Sequence, residues 1–443
     1  MAFTASIVPH APEWACIQLQ APASSARVPV HLCVLVDTSL SMESDDKLAN
    51  VKRSLHVLVE QLGPQDQLTI VTFSDRATTI LSAADVVEKS VLHQGVALIE
   101  TQGSTNLAAA IAVSMDSLHK DGIERKQGIL ILTDGHANSG IVTKSGILHL
   151  VGMVTTKFHG TSISCIGYGT DHNGPLLKEI SKEGGGAYYV VTQLDQVAEV
   201  FGDVLGGLMS CAYQQATVIL PLSVKVRSAY PVRTLHSNQE ILLGDLASEG
   251  KAVILAQLPV GHPITVKTFH RGMMTSMMLE CQVLAGKQGD DANAHYLRAD
   301  LVELMEDLTK NPTEAQRSKI AAYRVLLTEF HEKAADKTLW NLLLTELHYC
   351  GTRLEEALTH GISREEWEQT MTQRTACMGL MRGISTQDSD VPGYRFSNEA
   401  QRNSSSQFQE SVEEPGAPHR AVFQKMLASC SRLGSNRSSP VPQ

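Results

Sequence analysis

The chain has 443 residues, with 37 Lys and Arg against 47 Asp and Glu, a formal charge of −10 and a pI near 5.9. Such a length exceeds one ordinary core and implies about two to four domains, while 43% hydrophobic and 19% charged residues read as globular and soluble. The acidic balance without a Lys/Arg run argues against nucleic acid as a main partner, and no stretch approaches the roughly 18 uninterrupted apolar residues of a membrane-spanning helix.

The opening MAFTASIVPHAPEW has neither the basic leader nor the apolar core of a secretory signal. The eight cysteines (Cys16, Cys33, Cys165, Cys211, Cys281, Cys350, Cys377, Cys430) are scattered, with no C-x-x-C pair. Several sit in apolar runs such as LCVLV and SISCIGYG, so they read as buried free thiols of a reducing, cytoplasmic setting rather than as a disulfide frame or zinc site. In WACIQLQ, Ala15, Ile17 and Leu19 alternate with Cys16, Gln18 and Gln20. Residues 1–28 are therefore expected to lend a strand to a sandwich formed further along.

Residues 29–210 alternate two textures. VHLCVLVD, QLTIVTFSD, QGILILTDG and SISCIGYG are short apolar runs that close on polar or glycine residues, as strands of a parallel sheet covered on both faces do. Between them, Leu48, Val51, Leu55, Leu58 and Leu62 form one helical stripe, stopped by Gly63-Pro64. NLAAAIAVSMDSLHK (106–120) and LDQVAEVFGDVLGGLM (194–209) predict further helices. The pattern defines an α/β fold, a doubly wound, mostly parallel, Rossmann-like sheet with right-handed crossovers.

Over 211–290 the period changes to two, as in SVKVRS, where Val224 and Val226 are expected to face in and Lys225 and Arg227 out. With recurring turn residues this predicts an antiparallel β-sandwich. Residues 291–383 return to helix: Leu297, Leu301, Leu304 and Leu308 form a stripe, Asn311-Pro312 is expected to cap and open the next helix, and Trp340, Leu343, Leu344 and Leu347 continue it. Residues 384–443, rich in Ser, Gln, Asn, Glu and Pro, read as a disordered tail.

The chemistry concentrates in LCVLVDTSLSMES, where Asp37, Ser39 and Ser41 recur at every second position after an apolar strand. Strand ends of an open α/β sheet are where ligands bind. If the backbone stays extended, the three oxygens converge, and an oxygen-only set suits a hard divalent cation, Mg²⁺ or Mn²⁺. Thr105 in GSTN and Asp134 in ILTDG offer further oxygens from neighbouring strand ends. Two aspartates cancel the 2+ charge while the hydroxyls donate little, so the ion stays electrophilic, with a position open for an outside carboxylate.

D-x-S-x-S after an apolar strand, a GSTN threonine and a later TDG resemble the metal-ion-dependent adhesion site of a von Willebrand factor type A (vWA) domain. Its positions are matched by Asp37, Ser39, Ser41, Thr105 and Asp134, and the resemblance covers roughly residues 29–210. It implies direct ligation by Ser39 and Ser41, direct or water-mediated ligation by the others, and a protein partner whose Asp or Glu completes the shell. The layout is similar to intracellular proteins in which a vWA domain is embedded in a β-sandwich and followed by helices. Plant ubiquitin ligases of that build carry a RING module, for which this chain has no Cys/His cluster. The secreted inter-α-trypsin inhibitor heavy chains are disfavoured by the N-terminal reading. An architectural role, or recruitment of ligase substrates without a RING and with an idle metal site, is the alternative.

Other motifs fall short. HEKAA (331–335) lacks the second histidine of a zinc protease, GTSIS (160–164) the last glycine of a nucleophile elbow, and LAGKQG (284–289) the glycine and hydroxyl of a P-loop. The sequons at Asn403 and Asn436 matter only on secretion. An aspartic protease would need Asp-Thr-Gly in an all-β fold. An aspartyl phosphotransferase would want an acid where Ser39 stands. Asp75 and His136 read as loop residues, and a non-catalytic module is expected.

Overall fold

The structure, a computed structural model, describes residues 2–380 apart from 25–26, 87, 119–124, 135, 170–171, 192–195, 259–262, 271–272, 280–281, 284–288, 311 and 360–363, and beyond them residues 401, 403 and 406. The first strands are β1 (Ala2–Ile7) and β2 (Ala15–Gln20). An α/β unit follows: β3 (Val30–Asp37), a 3₁₀ turn at Leu40–Asp46, α1 (Lys47–Gln61), β4 (Gln67–Phe73), β5 (Ala77–Asp85), α2 (Lys89–Ala97), α3 (Leu107–Ser114), β6 (Lys126–Thr133), α4 (Lys144–Lys157), β7 (Ser162–Tyr168), α5 (Gly174–Glu183), β8 (Gly185–Val191) and α6 (Gln196–Met209). Then come β9 (Cys211–Pro221), β10 (Val226–Arg227), β11 (Val232–Leu235), β12 (Asn238–Ala247), β13 (Lys251–Ala256), β14 (Ile264–His270), β15 (Met273–Leu279) and β16 (Gln282–Val283). The helices α7 (Gly289–Lys310), α8 (Glu314–Lys333), α9 (Thr338–Thr359) and α10 (Arg364–Leu380) close the described chain.

Apolar runs without a polar face become central strands because helices cover both sides. The six-stranded sheet has the order β5-β4-β3-β6-β7-β8 and is parallel except for the edge strand β5. Alternate residues of one strand feed opposite cores. Val34, Val36, Leu130 and Leu132 pack with Leu55 and Leu58 of α1, Leu92 of α2 and Phe201 of α6. Cys33, Leu35, Ile129 and Ile131 pack with Ile111 of α3, Val151 of α4 and Ile180 of α5. The expected α/β sheet is thus present. The edge strands β5 and β8 and the helices α2, α4 and α5 add to the elements that periodicity picked out.

Two five-stranded sheets follow, ordered β10-β13-β2-β1-β16 and β11-β12-β9-β14-β15. They are antiparallel apart from the β1–β16 pair, and Ile17, Leu19 and Ile254 of one face Val218, Ile241 and Val266 of the other. Because β2 pairs with β13, the α/β unit lies in sequence between two strands of one sheet. Its two ends meet where the Val28 N–H donates to the Met209 carbonyl at 2.7 Å. The second face of the β2–β13 pair, with Cys16, Val253 and Leu255, is covered by the Leu297, Leu301, Leu304 and Leu308 stripe and by Trp340, Leu343 and Leu347. The cap of α8 is Thr313, in a capping box with Gln316, rather than Asn311, which lies outside the described residues. Pro312 thus precedes the cap, and the Gln316 side chain accepts from the Thr313 N–H at 2.6 Å. The tail from 384 also lies outside the described residues, save positions such as Gln401, which is buried and donates its amide N–H to the Asp203 carbonyl.

Candidate metal centre

The strand order reverses direction between β3 and β6: the chain leaves β3 towards β4 on one side and β6 towards β7 on the other. Such a switch point opens a crevice at the carboxyl ends of the two strands. Asp37 ends β3 and Asp134 follows β6, both buried. After Asp37 the chain tightens into the 3₁₀ turn, in which the Met42 side chain is buried in the core and Ser41 is exposed. That one turn fixes the serine above the crevice and delivers α1 beside it.

A chain of hydrogen bonds joins four of the five predicted ligands. The Ser39 N–H donates to Asp37 Oδ1 at 2.8 Å, and the Thr133 hydroxyl donates to Asp37 Oδ2. Ser39 Oγ and Ser41 Oγ lie 3.0 Å apart, and the Ser41 hydroxyl donates to Asp134 Oδ1 at 2.8 Å. Thr105, the fifth, is buried in the adjoining loop and is tied there through its backbone. Its N–H donates to Asn138 Oδ1 at 2.8 Å and its carbonyl accepts from the Asn138 and Ser139 N–H groups. This loop is sewn to the first one by Gln102 N–H to the Thr38 carbonyl (2.6 Å) and Leu40 N–H to the Gly103 carbonyl (3.2 Å). Asp75, read as a loop residue, braces it by accepting from the Ser104 hydroxyl and, at 3.1 Å, from the Ser104 N–H, and these bonds hold its carboxyl below the ordinary range. His136 is exposed beside the site.

Burial pushes the Asp37 carboxyl up to about 6 against the pull of its bonds from Ser39 and Thr133, and the charge of Asp134 adds to the rise. The pocket therefore favours a positive charge or a proton. Part of that charge is a residue that sequence reasoning missed. Lys47, the first residue of α1, is 4% exposed and donates from Nζ to Asp134 Oδ2 at 2.7 Å. A signal was available: a lysine opening a helix opposes the macrodipole, so something other than the helix must hold it there.

The donor set can be tested against a divalent ion. Adjacent oxygens of an octahedral Mg²⁺ shell at 2.0–2.1 Å stand about 2.8–3.0 Å apart. The Ser39–Ser41 and Ser41–Asp134 separations, 3.0 and 2.8 Å, are two such edges. Among the described residues no three His, Cys, Asp or Glu side chains converge as a metal cage, so a divalent site here depends on its hydroxyls. The residues fit a hard cation.

Residues 31–203 match the family model of the von Willebrand factor type A domain. The chain carries a vWA domain. The uncharacterized protein YfbK of Escherichia coli (strain K12) is 30% identical over 175 residues, covering 38% of this chain and 30% of that protein. The inter-alpha-trypsin inhibitor heavy chain H4 of Bos taurus is 25% identical over 280 residues, covering 58% of this chain and 28% of that protein. These matches thus span less than a third of the length of either curated relative. A von Willebrand factor type A structure from Catenulispora acidiphila has the same fold, with a TM-score of 0.56 at 15% identity over 76% of this chain and 88% of that one.

Proposed function

We propose that this chain is a non-catalytic, divalent-cation-dependent protein-interaction module. Asp37, Ser39, Ser41, Thr105 and Asp134 hold Mg²⁺ or Mn²⁺, and a partner's Asp or Glu completes the coordination. The observation that carries this reading is the spacing of the Ser39, Ser41 and Asp134 oxygens, which suits neighbouring positions on one hard ion. The ion, when bound, supplies a Lewis-acidic point for a carboxylate. The chain itself supplies the fixed oxygens, the buried Asp37 that anchors the turn, and an exposed rim that includes Leu40 (60% exposed). We take residues 29–210 as the unit that presents the ion, with 1–28 and 211–290 as the sandwich that carries it, 291–383 as a helical buttress and 384–443 as a tail. The reduced, buried thiols of Cys16, Cys33, Cys165, Cys211 and Cys350 support a cytoplasmic setting. Among the described residues no helix is long and apolar enough to cross a membrane.

The test is partner capture from extract by the full chain, with Mg²⁺, with EDTA, and with Asp37→Ala. Partners released by EDTA and missed by the folded variant support the reading. Partners retained in all three arms would favour the architectural alternative, for which the ion pair between Lys47 and Asp134 is the specific support, since a lysine already neutralises one ligand of the site.

A further inference from the structure

We propose that Lys47 is a tethered competitor for the divalent cation, whose ammonium must leave Asp134 before the ion can take the site. This rests on the ion-binding reading and goes past it, because it concerns how the site is loaded and when a partner is admitted. The two oxygens of Asp134 are divided: Oδ1 accepts from Ser41, on the edge that suits the ion, and Oδ2 accepts from the Lys47 ammonium. Ion and ammonium would thus share one buried carboxylate, with few ångströms and little water between two positive charges. Lys47 gains nothing from the dipole of its own helix, whose N-terminus repels cations, and its ammonium is held against the Asp134 carboxylate at 2.7 Å. The way out is short. α1 begins at the protein surface, where Glu43 and Asp46 of the preceding turn are exposed and offer an acidic, solvated landing for a four-carbon stem.

The exchange would also change what the site attracts. With Asp37 and Asp134 ionised and Lys47 inside, the cluster keeps a net negative charge and repels a carboxylate. With a divalent ion inside and the ammonium outside, the two carboxylates are neutralised and a cationic coordination point faces the approaching acid. Lys47 therefore makes partner binding conditional on the ion, holding the loop in shape when the ion is scarce without imitating its Lewis acidity.

The experiment titrates Mn²⁺ into the full chain and into Lys47→Gln, reading free Mn²⁺ by electron paramagnetic resonance. Gln keeps an N–H donor for Asp134 and removes the charge. The variant is expected to bind Mn²⁺ about tenfold tighter or more. In parallel, the unaltered chain is pulsed with acetic anhydride and Lys47 labelling is measured by peptide mass spectrometry. Lys47 is expected to be protected without Mn²⁺ and acetylated with it. Equal or weaker Mn²⁺ binding by folded Lys47→Gln overturns the proposal, and if that variant does not fold, labelling indifferent to Mn²⁺ overturns it. Equal binding by both proteins leaves the ion site standing and removes only the role of Lys47. Binding by neither ends both.

Discussion

Asp37 is costly where it stands. Its carboxyl, ordinarily near 3.8, is pushed up to about 6 by burial, so the folded chain binds the proton more tightly than the unfolded one. The sign follows from linkage: between about pH 4 and 6 the native state carries more protons, so this residue's contribution is fully present below pH 4 and is lost as pH rises through 6. A rise of that size is worth at most about 3 kcal/mol at neutral pH. Asn mimics the protonated acid, keeping an oxygen for the Ser39 N–H and an amide that can donate to the Thr133 hydroxyl. In EDTA, Asp37→Asn should therefore stabilise the chain against urea by up to about 3 kcal/mol at pH 7 and by nothing near pH 4. A gain that is the same at both pH values would mean that the buried charge is not the cause. The D-x-S-x-S spacing was legible because a strand end and a short turn suffice to bring its oxygens together. For Lys47 only half was legible: a lysine opening a helix signals that something must hold it, but its contact with Asp134 depends on the 3₁₀ turn before α1, and no period in the residues announces that turn.

At the scale of elements, the loops matter as much as the strands. Gly103 has a φ of +68°, in the left-handed region, and a Cβ there would collide with the Asp75 carboxylate that braces the GSTN loop. Gly103→Ala should keep the sheet, lower stability by about 1–2 kcal/mol, and weaken Mn²⁺ binding because Thr105 and the Leu40–Gly103 bond shift together. Urea unfolding and Mn²⁺ titration check the two effects, and full Mn²⁺ affinity would show Thr105 to be dispensable. The central strands were readable from their unbroken apolar runs, which only a doubly covered sheet explains. β5 escaped because an edge strand, with Thr78, Thr79 and Ser82 exposed, needs no such run. α8 shows a different failure: Asn311 and Thr313 are both good caps, and only the Gln316 side chain, returning to the Thr313 N–H at 2.6 Å, decides between them.

At the scale of the whole molecule, the question is what fixes the vWA domain to the sandwich that it interrupts in sequence. Lys126, at the start of β6, is fully buried at this junction. Its ammonium forms a 2.8 Å ion pair with Asp245 of β12 and donates to the carbonyls of Gln127 and Gly160. Nearby, β8 and β12 approach closely at Gly185 and Gly244, where a side chain on Gly244 would meet the Gly185 backbone. The joint is therefore polar at its centre and backbone-tight at its edge. A polar joint is sensitive to losing one partner and tolerant of losing both. Lys126→Met should cost about 3–5 kcal/mol, and adding Asp245→Leu should recover a substantial part. The single variant should also separate a first urea transition for the vWA domain from that of the sandwich, readable by comparing tryptophan fluorescence, whose reporters Trp14, Trp340 and Trp367 all lie outside residues 31–203, with far-ultraviolet circular dichroism. A cost below about 1 kcal/mol with coincident transitions would mean that apolar packing alone holds the two parts. In that case, the end of the sheet opposite the metal centre would be free to move without telling the sandwich.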